Sequence, residues 1–370
     1  MSLTRRRFLA LAGLSVCGPA IAESAPKQVG AIRLLSARGD RAGGYRVSGL
    51  GDHGDIRFDQ PLPGRGHGVA VHPHGHQAVC VARRPGDFML VLDLTSGEPV
   101  ALRETPAGRH FYGHGVFSAD GAFFYTTENA IDSGAGCIGL WDVSNGYRPV
   151  GELPSHGVGP HELLLAPDGD HLIVANGGIL TRPETGRTKL NLDTMEPSLV
   201  YLDRRDGRLI AEHRLPPQLH QLSIRHLALG RGGVVCAALQ YEGPADEQPP
   251  LVAFALPMQG LELVQAPPDT QSAMRNYCGS AAADHSGEWF AVSAPRGNLV
   301  TFWDSQGGFR GGAEIADGCG LAPGDDPGTF YLSSGNGTLY RHDCRTGETS
   351  KLPGPDAKGI QWDNHLSLCG

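Results

Sequence analysis

The sequence has no apolar run long enough to cross a bilayer of roughly 30 Å, since its longest one covers only residues 9–16. It has no CxxC or CxxCH motif, which excludes covalently attached c-type haem. A G-x-S-x-G motif is also absent, so a serine hydrolase with a nucleophile elbow has no support. No segment keeps a helical apolar period over three turns. Charged residues make up only 19% of the chain, and its 53 glycines and 27 prolines predict many turns and strands.

The first 22 residues have the pattern of an export leader. Residues 4–9 read Thr-Arg-Arg-Arg-Phe-Leu, a short apolar stretch follows, and residues 20–22 give an Ala-x-Ala cleavage site. We therefore expect a twin-arginine signal peptide over residues 1–22 and a periplasmic protein that starts at Glu23. Val16 before Cys17 makes a poor lipoprotein box, so we expect no lipid anchor. An unprocessed basic N-terminus is the alternative.

The charge balance argues against some classes of partner. The formal net charge is −8 at pH 7, and removal of the leader would take away three more arginines and no acid. Phosphate-rich partners are bound by clustered lysine and arginine, so we expect neither nucleic acid nor an anionic membrane surface as a partner.

Eight cysteines leave seven after cleavage, so at least one thiol stays unpaired even where disulfides form. Cys80 and Cys236 lie inside apolar strand patterns and are predicted to be core residues. Cys278 and Cys319 open neighbouring inner strands. They could form a disulfide or act as soft metal ligands, and the sequence leaves both possibilities open.

One phrase recurs along the chain: an apolar strand, a turn such as Pro-Asp-Gly, a second apolar strand, and a third strand that ends in an apolar or aromatic residue plus Asp. The third-strand signal occurs seven times, at Phe58-Asp59, Leu92-Asp93, Trp141-Asp142, Leu202-Asp203, Trp303-Asp304, His342-Asp343 and, in degenerate form, residues 252–255. The spacing is mostly about 35–60 residues, which suits four-stranded blades. We therefore predict an all-β, seven-bladed β-propeller of the WD40/YVTN type.

The two chain ends are predicted to complete one blade. Residues 360–368 have the pattern of an inner strand with no blade after it, and residues 31–62 resemble outer strands with no inner strand before them. Pairing them removes the open edge that a linear array of blades would leave. The prediction is a single propeller domain over residues 23–370.

One repeat carries an insertion at about residues 177–198, between its second and third strands. It contains Arg182, Arg187 and Lys189 in an otherwise acidic chain. Because loops of this length in compact domains are usually functional or disordered, we expect an ordered flap over one face of the propeller.

Histidines recur where the inner strands begin, which is where a propeller opens its central channel. The residues at these seven positions are His67, His114, His161 with Glu162, Arg225 with His226, Asn276 with Cys278, Cys319, and Asp363 with His365. Imidazole suits copper, zinc and iron, and three or four converging groups are enough for a site. A shift of one residue would turn a side chain to the other face of its strand. The histidines could also merely plug the channel by bonding the backbone between blades.

A second group of histidines is less promising. His72, His74 and His76 alternate along the chain but lie at a turn, where we expect nonspecific metal binding at the surface instead of a specific site.

Several motifs resemble an uncharacterised bacterial family of exported propeller proteins. They are Gly66-His67-Gly68, Tyr112–Ser118, Gly159–Leu163, Ala175–Ile179, Lys189–Leu192, Pro197–Leu199, Ser223–Leu227, Arg275–Tyr277 and Trp362–His365. Members of that family are often encoded beside imelysin-like proteins and di-haem oxidoreductases in iron-regulated gene clusters. The resemblance thus implies a role near metal uptake or periplasmic redox chemistry, and it adds Asn176 and Lys189 to the candidate ligand-binding residues.

These observations lead to one main hypothesis: a periplasmic, monomeric protein that binds iron or copper, or a small ligand, at the channel mouth. His67, His114, His161, His226 and His365 are the candidate metal ligands, and Glu162, Arg225, Asn276 and Asp363 would orient them or balance charge. Imelysin-like or haem proteins are the expected partners. One alternative is an oxidoreductase or lactonase-like enzyme at the same mouth, and another is a protein-interaction platform.

Overall fold

Turn residues cut the chain into short β-rich segments, and nearly every segment forms a strand. The computed structural model describes residues 28–256, 259–354 and 359–369. The expected signal peptide, its cleavage site and Cys17 lie outside the described residues. No helix in the described ranges is long and apolar enough to cross a membrane.

The strands form seven antiparallel sheets, the blades of a propeller. Blade 1 begins with β1 (Leu34–Asp40), β2 (Tyr45–Leu50) and β3 (Ile56–Pro61). Blade 2 contains β4 (Gly66–Val71), β5 (Gln77–Ala82), β6 (Phe88–Asp93) and β7 (Pro99–Glu104). Blade 3 contains β8 (Arg109–Phe117), β9 (Phe123–Ala130), β10 (Gly136–Asp142) and β11 (Arg148–Pro154). Blade 4 contains β12 (Pro160–Leu165), β13 (His171–Asn176), β14 (Ser198–Asp203) and β15 (Leu209–Arg214).

The second half of the chain continues the same pattern. Blade 5 contains β16 (Leu222–Leu229), β17 (Val235–Tyr241), β18 (Val252–Leu256) and β19 (Gly260–Val264). The helix α1 (Pro268–Ala273) leads to blade 6, with β20 (Ser280–Ala283), β21 (Trp289–Ala294), β22 (Leu299–Asp304) and β23 (Phe309–Glu314). Blade 7 contains β24 (Gly318–Pro323), β25 (Thr329–Ser334), β26 (Leu339–Asp343) and β27 (Glu348–Lys351), and β28 (Ile360–Trp362) and β29 (Ser367–Leu368) follow. The predicted seven-bladed all-β propeller is confirmed.

Short 3-10 turns supplement these elements. They lie at Pro183–Thr185, Leu192–Thr194, Pro217–Leu219, Arg231–Gly233 and Pro295–Gly297.

The two chain ends share blade 1, as the sequence predicts. Both β28 and β29 pair antiparallel with β1, with Arg38 opposite Trp362 and Leu34 opposite Leu368. Between the two short strands, the Ser36 hydroxyl donates to the carbonyl of His365 at 2.7 Å. The circle of blades is therefore closed by hydrogen bonds between the first and last strands of the chain.

Burial increases from the outer strands to the second strand of each blade. The outer strands β11 and β27 are almost entirely exposed, whereas β17 and β25 are buried along their whole length. Cys80 in β5 and Cys236 in β17 are fully buried, as their apolar strand patterns predict. The hydrophobic core thus lies between the faces of neighbouring blades.

The aromatic-plus-Asp signal of the third strands has a physical basis. In β22, Trp303 is fully buried and Asp304 accepts backbone N–H bonds from Gln306 at 2.9 Å and Gly308 at 2.8 Å. The aromatic residue fills the space between blades, and the carboxylate closes the turn to the fourth strand.

The inner strands are irregular near the channel mouth. Their pairing with the second strands shifts register in five blades, at Gly66/Val69, Phe111/Gly115, Pro160/Glu162, Ile224/His226 and Gly318/Leu321. A bulge of this kind turns side chains away from strict alternation. In blade 1 the gap between β28 and β29 interrupts the inner position in a similar way.

The insertion of blade 4 runs between β13 and β14 and is tied down at its base. Asn191 donates through Nδ2 to the carbonyl of Gly178 at 2.8 Å, and its Oδ1 accepts from the N–H of Leu180 at 2.7 Å. Ile179 and Met195 are buried, whereas residues 182–185 are exposed.

Candidate metal centre on the propeller axis

Five histidines from five blades meet on the axis. His67 lies in β4, His114 in β8, His161 in β12, His226 in β16, and His365 between β28 and β29. Their neighbouring rings have centroids 4.4 to 6.4 Å apart. All five are buried, with exposed fractions of 8% or less. They lie at or beside the interruptions of the inner strands, so the irregular backbone is what allows neighbouring blades to aim their imidazoles at one point.

Two sets of three histidines are spaced for a metal ion. One is His67, His114 and His161, and the other is His114, His226 and His365; within each set, the ligand atoms lie within 4.8 Å of one another. His114 belongs to both. These histidine groups could hold a metal ion, with one imidazole nitrogen from each of three blades.

Two carboxylates fix the orientation of the rings. Asp363 lies 2.7 Å through Oδ1 from Nδ1 of His67, and its Oδ2 accepts from Arg65 at 2.6 Å. Glu162 lies 3.1 Å from Nδ1 of His226 and 3.5 Å from Nδ1 of His114. When a carboxylate accepts the Nδ1 proton, the lone pair of the ring is left on Nε2, and this is the arrangement found around histidine metal ligands.

The remaining ring nitrogens are poorly satisfied by the protein. Nε2 of His161 lies 3.3 Å from Nε2 of His226, and Nε2 of His365 lies 3.3 Å from Nε2 of His67. Nε2 of His114 and Nδ1 of His161 are buried and have no hydrogen-bond partner among the described residues. Buried polar atoms are nearly always paired. Unpaired nitrogens of neutral imidazoles are therefore free to act as ligands.

Burial keeps these imidazoles uncharged. It lowers the pKa of His67 to about 3 and lowers the pKa values of the other four well below their ordinary value. The neighbouring imidazoles and Arg225 lower them further. Neutral imidazole is the form that binds a metal.

The two carboxylates differ in acidity. Burial raises the pKa of Glu162 to about 7, against the lowering effects of His365 and of the N–H bond from Leu227. Burial also opposes ionisation of Asp363, but the bond from His67 and the charge of Arg65 hold its pKa well below the ordinary value. Asp363 therefore stays charged at neutral pH, while Glu162 titrates near neutrality.

Arginines lie beside the histidines at the channel mouth. Arg83, Arg84, Arg187 and Arg225 line a small cavity together with three of the axial histidines. Burial and then the neighbouring Arg84 lower the pKa of Arg225 to about 9, so it remains a cation at neutral pH. Arg84 lies over the ring of Tyr112, 5.5 Å from its centroid.

Three of the predicted ligand-binding residues have other contacts. Asn176 is buried and donates to the Ser155 carbonyl at 2.8 Å, Lys189 forms an ion pair with Glu242, and Asn276 donates to the Glu247 carbonyl at 2.8 Å. The structure thus brings Glu162, Arg225 and Asp363 to the histidines and places Asn176, Lys189 and Asn276 in contacts with backbone or with an acid.

The structure also shows which contacts the cysteines and the second histidine group make. All seven described cysteines are free thiols, and Cys278 and Cys319 bond to protein oxygens instead of to each other. His72 is buried and lies 3.2 Å from the Gly121 carbonyl. In the described ranges, only the axial histidines form groups spaced for a metal ion.

The sequence interpretation missed Arg83, Arg84 and Tyr112. Arg83 and Arg84 directly follow β5, the partner strand of the inner strand that carries His67. Two adjacent arginines after an apolar strand of an acidic protein were the available signal, but nothing local shows which way they point.

Comparison with known proteins places the chain in a family. The profile of a protein family of unknown function, DUF1513, matches residues 60–369. The chain belongs to this family. The match covers 310 of the 370 residues and includes all five axial histidines.

The solved structures include propellers of similar shape. One is the Kuenenia stuttgartiensis hydrazine synthase, which is 13% identical, with a TM-score of 0.59 over 90% of this chain and 99% of that chain. At this identity the likeness concerns the fold alone. No curated protein matches the sequence.

Proposed function

We propose that this member of the DUF1513 family binds a transition metal ion, iron or copper, at the axial histidines. The observation that supports the proposal most is the pair of histidine triads, each with its three ligand atoms within 4.8 Å of one another. An all-nitrogen, neutral ligand set is suited to copper, zinc, iron or nickel and unsuited to calcium or magnesium.

The surroundings of the triads favour a metal over a structural plug. A plug would satisfy its ring nitrogens with backbone groups, whereas two buried ring nitrogens, on His114 and His161, have no partner in the described part of the chain. The carboxylates of Asp363 and Glu162 bond the outward nitrogens of His67 and His226, as carboxylates beside metal-bound histidines do.

The proposed role is that of a periplasmic accessory protein in metal uptake or redox chemistry. The twin-arginine pattern of residues 4–9 supports export. The resemblance to proteins encoded beside imelysin-like and haem proteins supports those partners, and we propose a monomeric protein.

Elemental analysis of protein purified without added metal tests the proposal directly. We expect about one equivalent of iron or copper, or stoichiometric uptake when Fe(II) or Cu(II) is titrated into metal-free protein. Protein that is metal-free and takes up neither ion would overturn it.

Variants assign the binding to the axis. His114 is shared by both triads, so we expect His114→Gln to weaken metal binding more than the ~10–100-fold loss typical of an outer-shell change. The matched control is the double change His74→Ala and His76→Ala, which removes two exposed histidines. If the control variant loses its affinity for the metal and His114→Gln keeps it, the metal binds at the surface and not on the axis. Thermal unfolding of each variant checks that it is folded.

A further inference from the structure

The cavity at the channel mouth contains more positive charge than its surroundings balance. Arg84 and Arg225 are only 5% and 3% exposed. Nη1 of Arg84, and Nε and Nη1 of Arg225, are buried without a hydrogen-bond partner among the described residues. Leaving the N–H groups of a buried cation unpaired costs more than leaving those of a neutral group unpaired. Two such groups side by side indicate that their N–H donors pair with an acceptor that the protein itself does not supply.

The nearby carboxylates are already engaged. Asp363 bonds Arg65 and His67, and Glu242 forms an ion pair with Lys189. Within the described ranges, none of the four arginines that line the cavity forms an ion pair with a carboxylate. The concentration of cations is unexpected in a chain whose formal net charge is −8, and a cleft with uncompensated charge of one sign concentrates small ions of the other.

We propose that Arg83, Arg84, Arg187 and Arg225 bind a carboxylate-type oxyanion in the cavity that they share with the axial histidines. A guanidinium presents paired N–H donors that match the two oxygens of a carboxylate. His67, His161 and His226 line the same cavity, so an anion there contacts the ring nitrogens as well as the arginines.

The size of the cavity limits the ligand. Its volume of about 10 Å³ is about that of one water-sized group. One carboxylate oxygen therefore enters the cavity, and the rest of the ligand extends past Arg187, an exposed residue of the insertion. The insertion thus contributes one of the four cations to the site.

The anion and the metal are expected to bind cooperatively, a coupling that rests on the proposed metal site although the anion site itself does not. A metal cation among the histidines would be repelled by the arginines, and an anion between them weakens that repulsion. By linkage, each ligand then strengthens the other by the same factor.

Calorimetric titration of metal-free wild-type protein with oxalate at fixed ionic strength tests the anion site. We expect saturable binding that Arg84→Gln and Arg225→Gln each weaken tenfold or more. The matched control Arg231→Gln removes an exposed arginine that is paired with Glu288, and we expect it to bind as the wild type does. An absence of oxalate binding, or equal binding by all three variants, would overturn the proposal. Tighter binding of phosphate than of oxalate would overturn the carboxylate assignment.

Thermal unfolding shows whether weak binding is merely a folding defect. Because Arg225 is a buried cation without an anion, we expect Arg225→Gln to unfold no earlier than the wild type when no ligand is present. Oxalate should raise the unfolding temperature of the wild type and leave that of the variant unchanged. A variant that oxalate stabilises as much as the wild type would contradict the assignment.

Two measurements on the wild type separate this inference from the proposed function. If metal-free protein binds oxalate but takes up neither Fe(II) nor Cu(II), the metal function fails and the anion site stands; the reverse result overturns the anion site alone. If both bind, copper-loaded protein should bind oxalate at least fivefold more tightly, and equal affinities would overturn the coupling.

Discussion

At the scale of single residues, the axial site depends on which atom of each imidazole faces inward. Asp363 decides this for His67, because its carboxylate accepts the Nδ1 proton at 2.7 Å and is itself held by Arg65. Glu162 does the same for His226 at 3.1 Å. The ring orientation is thus set by neighbours one step removed from the proposed ligands.

Replacing Asp363 by Asn should therefore weaken metal binding without removing a ligand. The amide no longer fixes the proton on Nδ1 of His67, and we expect a ~10–100-fold lower affinity for Cu(II) in a competition titration with a chelator. Asp343→Asn, which alters a carboxylate paired with Arg345 in a surface turn, is the control. Equal affinities of Asp363→Asn and the wild type would show that Asp363 does not orient the ligand.

A buried acid outside the site makes stability depend on pH. Glu128 in β9 is 2% exposed, and its Oε1 accepts a bond from the Thr126 hydroxyl at 2.6 Å. Burial raises the pKa of Glu128 to about 7 from an ordinary 4.5. The folded state holds the proton more tightly than the unfolded state, so stability falls as the pH rises from 4.5 to about 7, and above 7 the loss is complete and no longer changes with pH.

Glu128→Gln should accordingly stabilise the protein in a pH-dependent manner. We expect the free energy of unfolding to rise by up to about 3 kcal/mol at pH 8 and to change little near pH 4.5. Urea denaturation at both pH values measures the difference. Glu348→Gln, at an exposed carboxylate of β27, should show no such trend. The same gain at both pH values would rule out titration of Glu128 as its source.

At the scale of the strand, the bulges of the inner strands allow the axial histidines to converge. In β8 the pairing is interrupted from Phe111 to Gly115, and Gly113 has a φ of +116°. A Cβ at this position would lie 2.7 Å from Cδ2 of His67. The backbone of blade 3 therefore approaches the imidazole of blade 2 more closely than any residue with a side chain allows.

Gly113→Ala should both strain the backbone and displace His67. We expect a loss of about 1–3 kcal/mol in the free energy of unfolding, together with weaker metal binding. Gly108→Ala is a matched control, since its φ is +77° but its Cβ would meet nothing within 4 Å. The control should lose stability and keep its metal affinity. If the two variants have the same metal affinity, the contact with His67 is unimportant.

At the scale of the whole molecule, the fold is a ring that the last strands close. Trp362 in β28 is 5% exposed, pairs with Arg38 of β1, and donates from Nε1 to the Gly337 carbonyl at 3.0 Å. It therefore joins the end of the chain both to its beginning and to blade 7. The same segment carries Asp363 and His365, so the residues that close the ring also supply two side chains to the site.

Trp362→Ala should destabilise the entire propeller. We expect about 3–5 kcal/mol lower stability, the cost of removing a buried aromatic side chain, with a lower urea midpoint for the whole molecule. Val150→Ala, at a residue 51% exposed on β11, is the comparison and should change little. Loss of blade 1 alone, with the rest of the transition unchanged, would show that the blades unfold independently.

The sequence by itself determined the architecture, because the signals that define a blade are local. Apolar strands, turn residues and the aromatic-plus-Asp endings recur often enough to count seven blades. Residues 31–62 have the pattern of outer strands and residues 360–368 that of an inner strand, which together predict the shared blade. The first positions of the inner strands also identify the five histidines, because equivalent positions of a repeat lie at the same end of the channel.

Only the tertiary structure decided which polar side chains share the mouth. Asn276 lies at the same position of its repeat as the histidines do in theirs. It nevertheless has a positive φ of 54°, and its side chain donates to the Glu247 carbonyl. Arg84 follows a second strand and Arg187 belongs to the insertion, yet both line the cavity. A bulge of one residue reverses which face a side chain occupies, and a loop approaches from outside the repeat. Neither effect leaves a periodic trace in the sequence, so only the packed blades show that Arg84 and Arg187 join the predicted Arg225 beside the histidines.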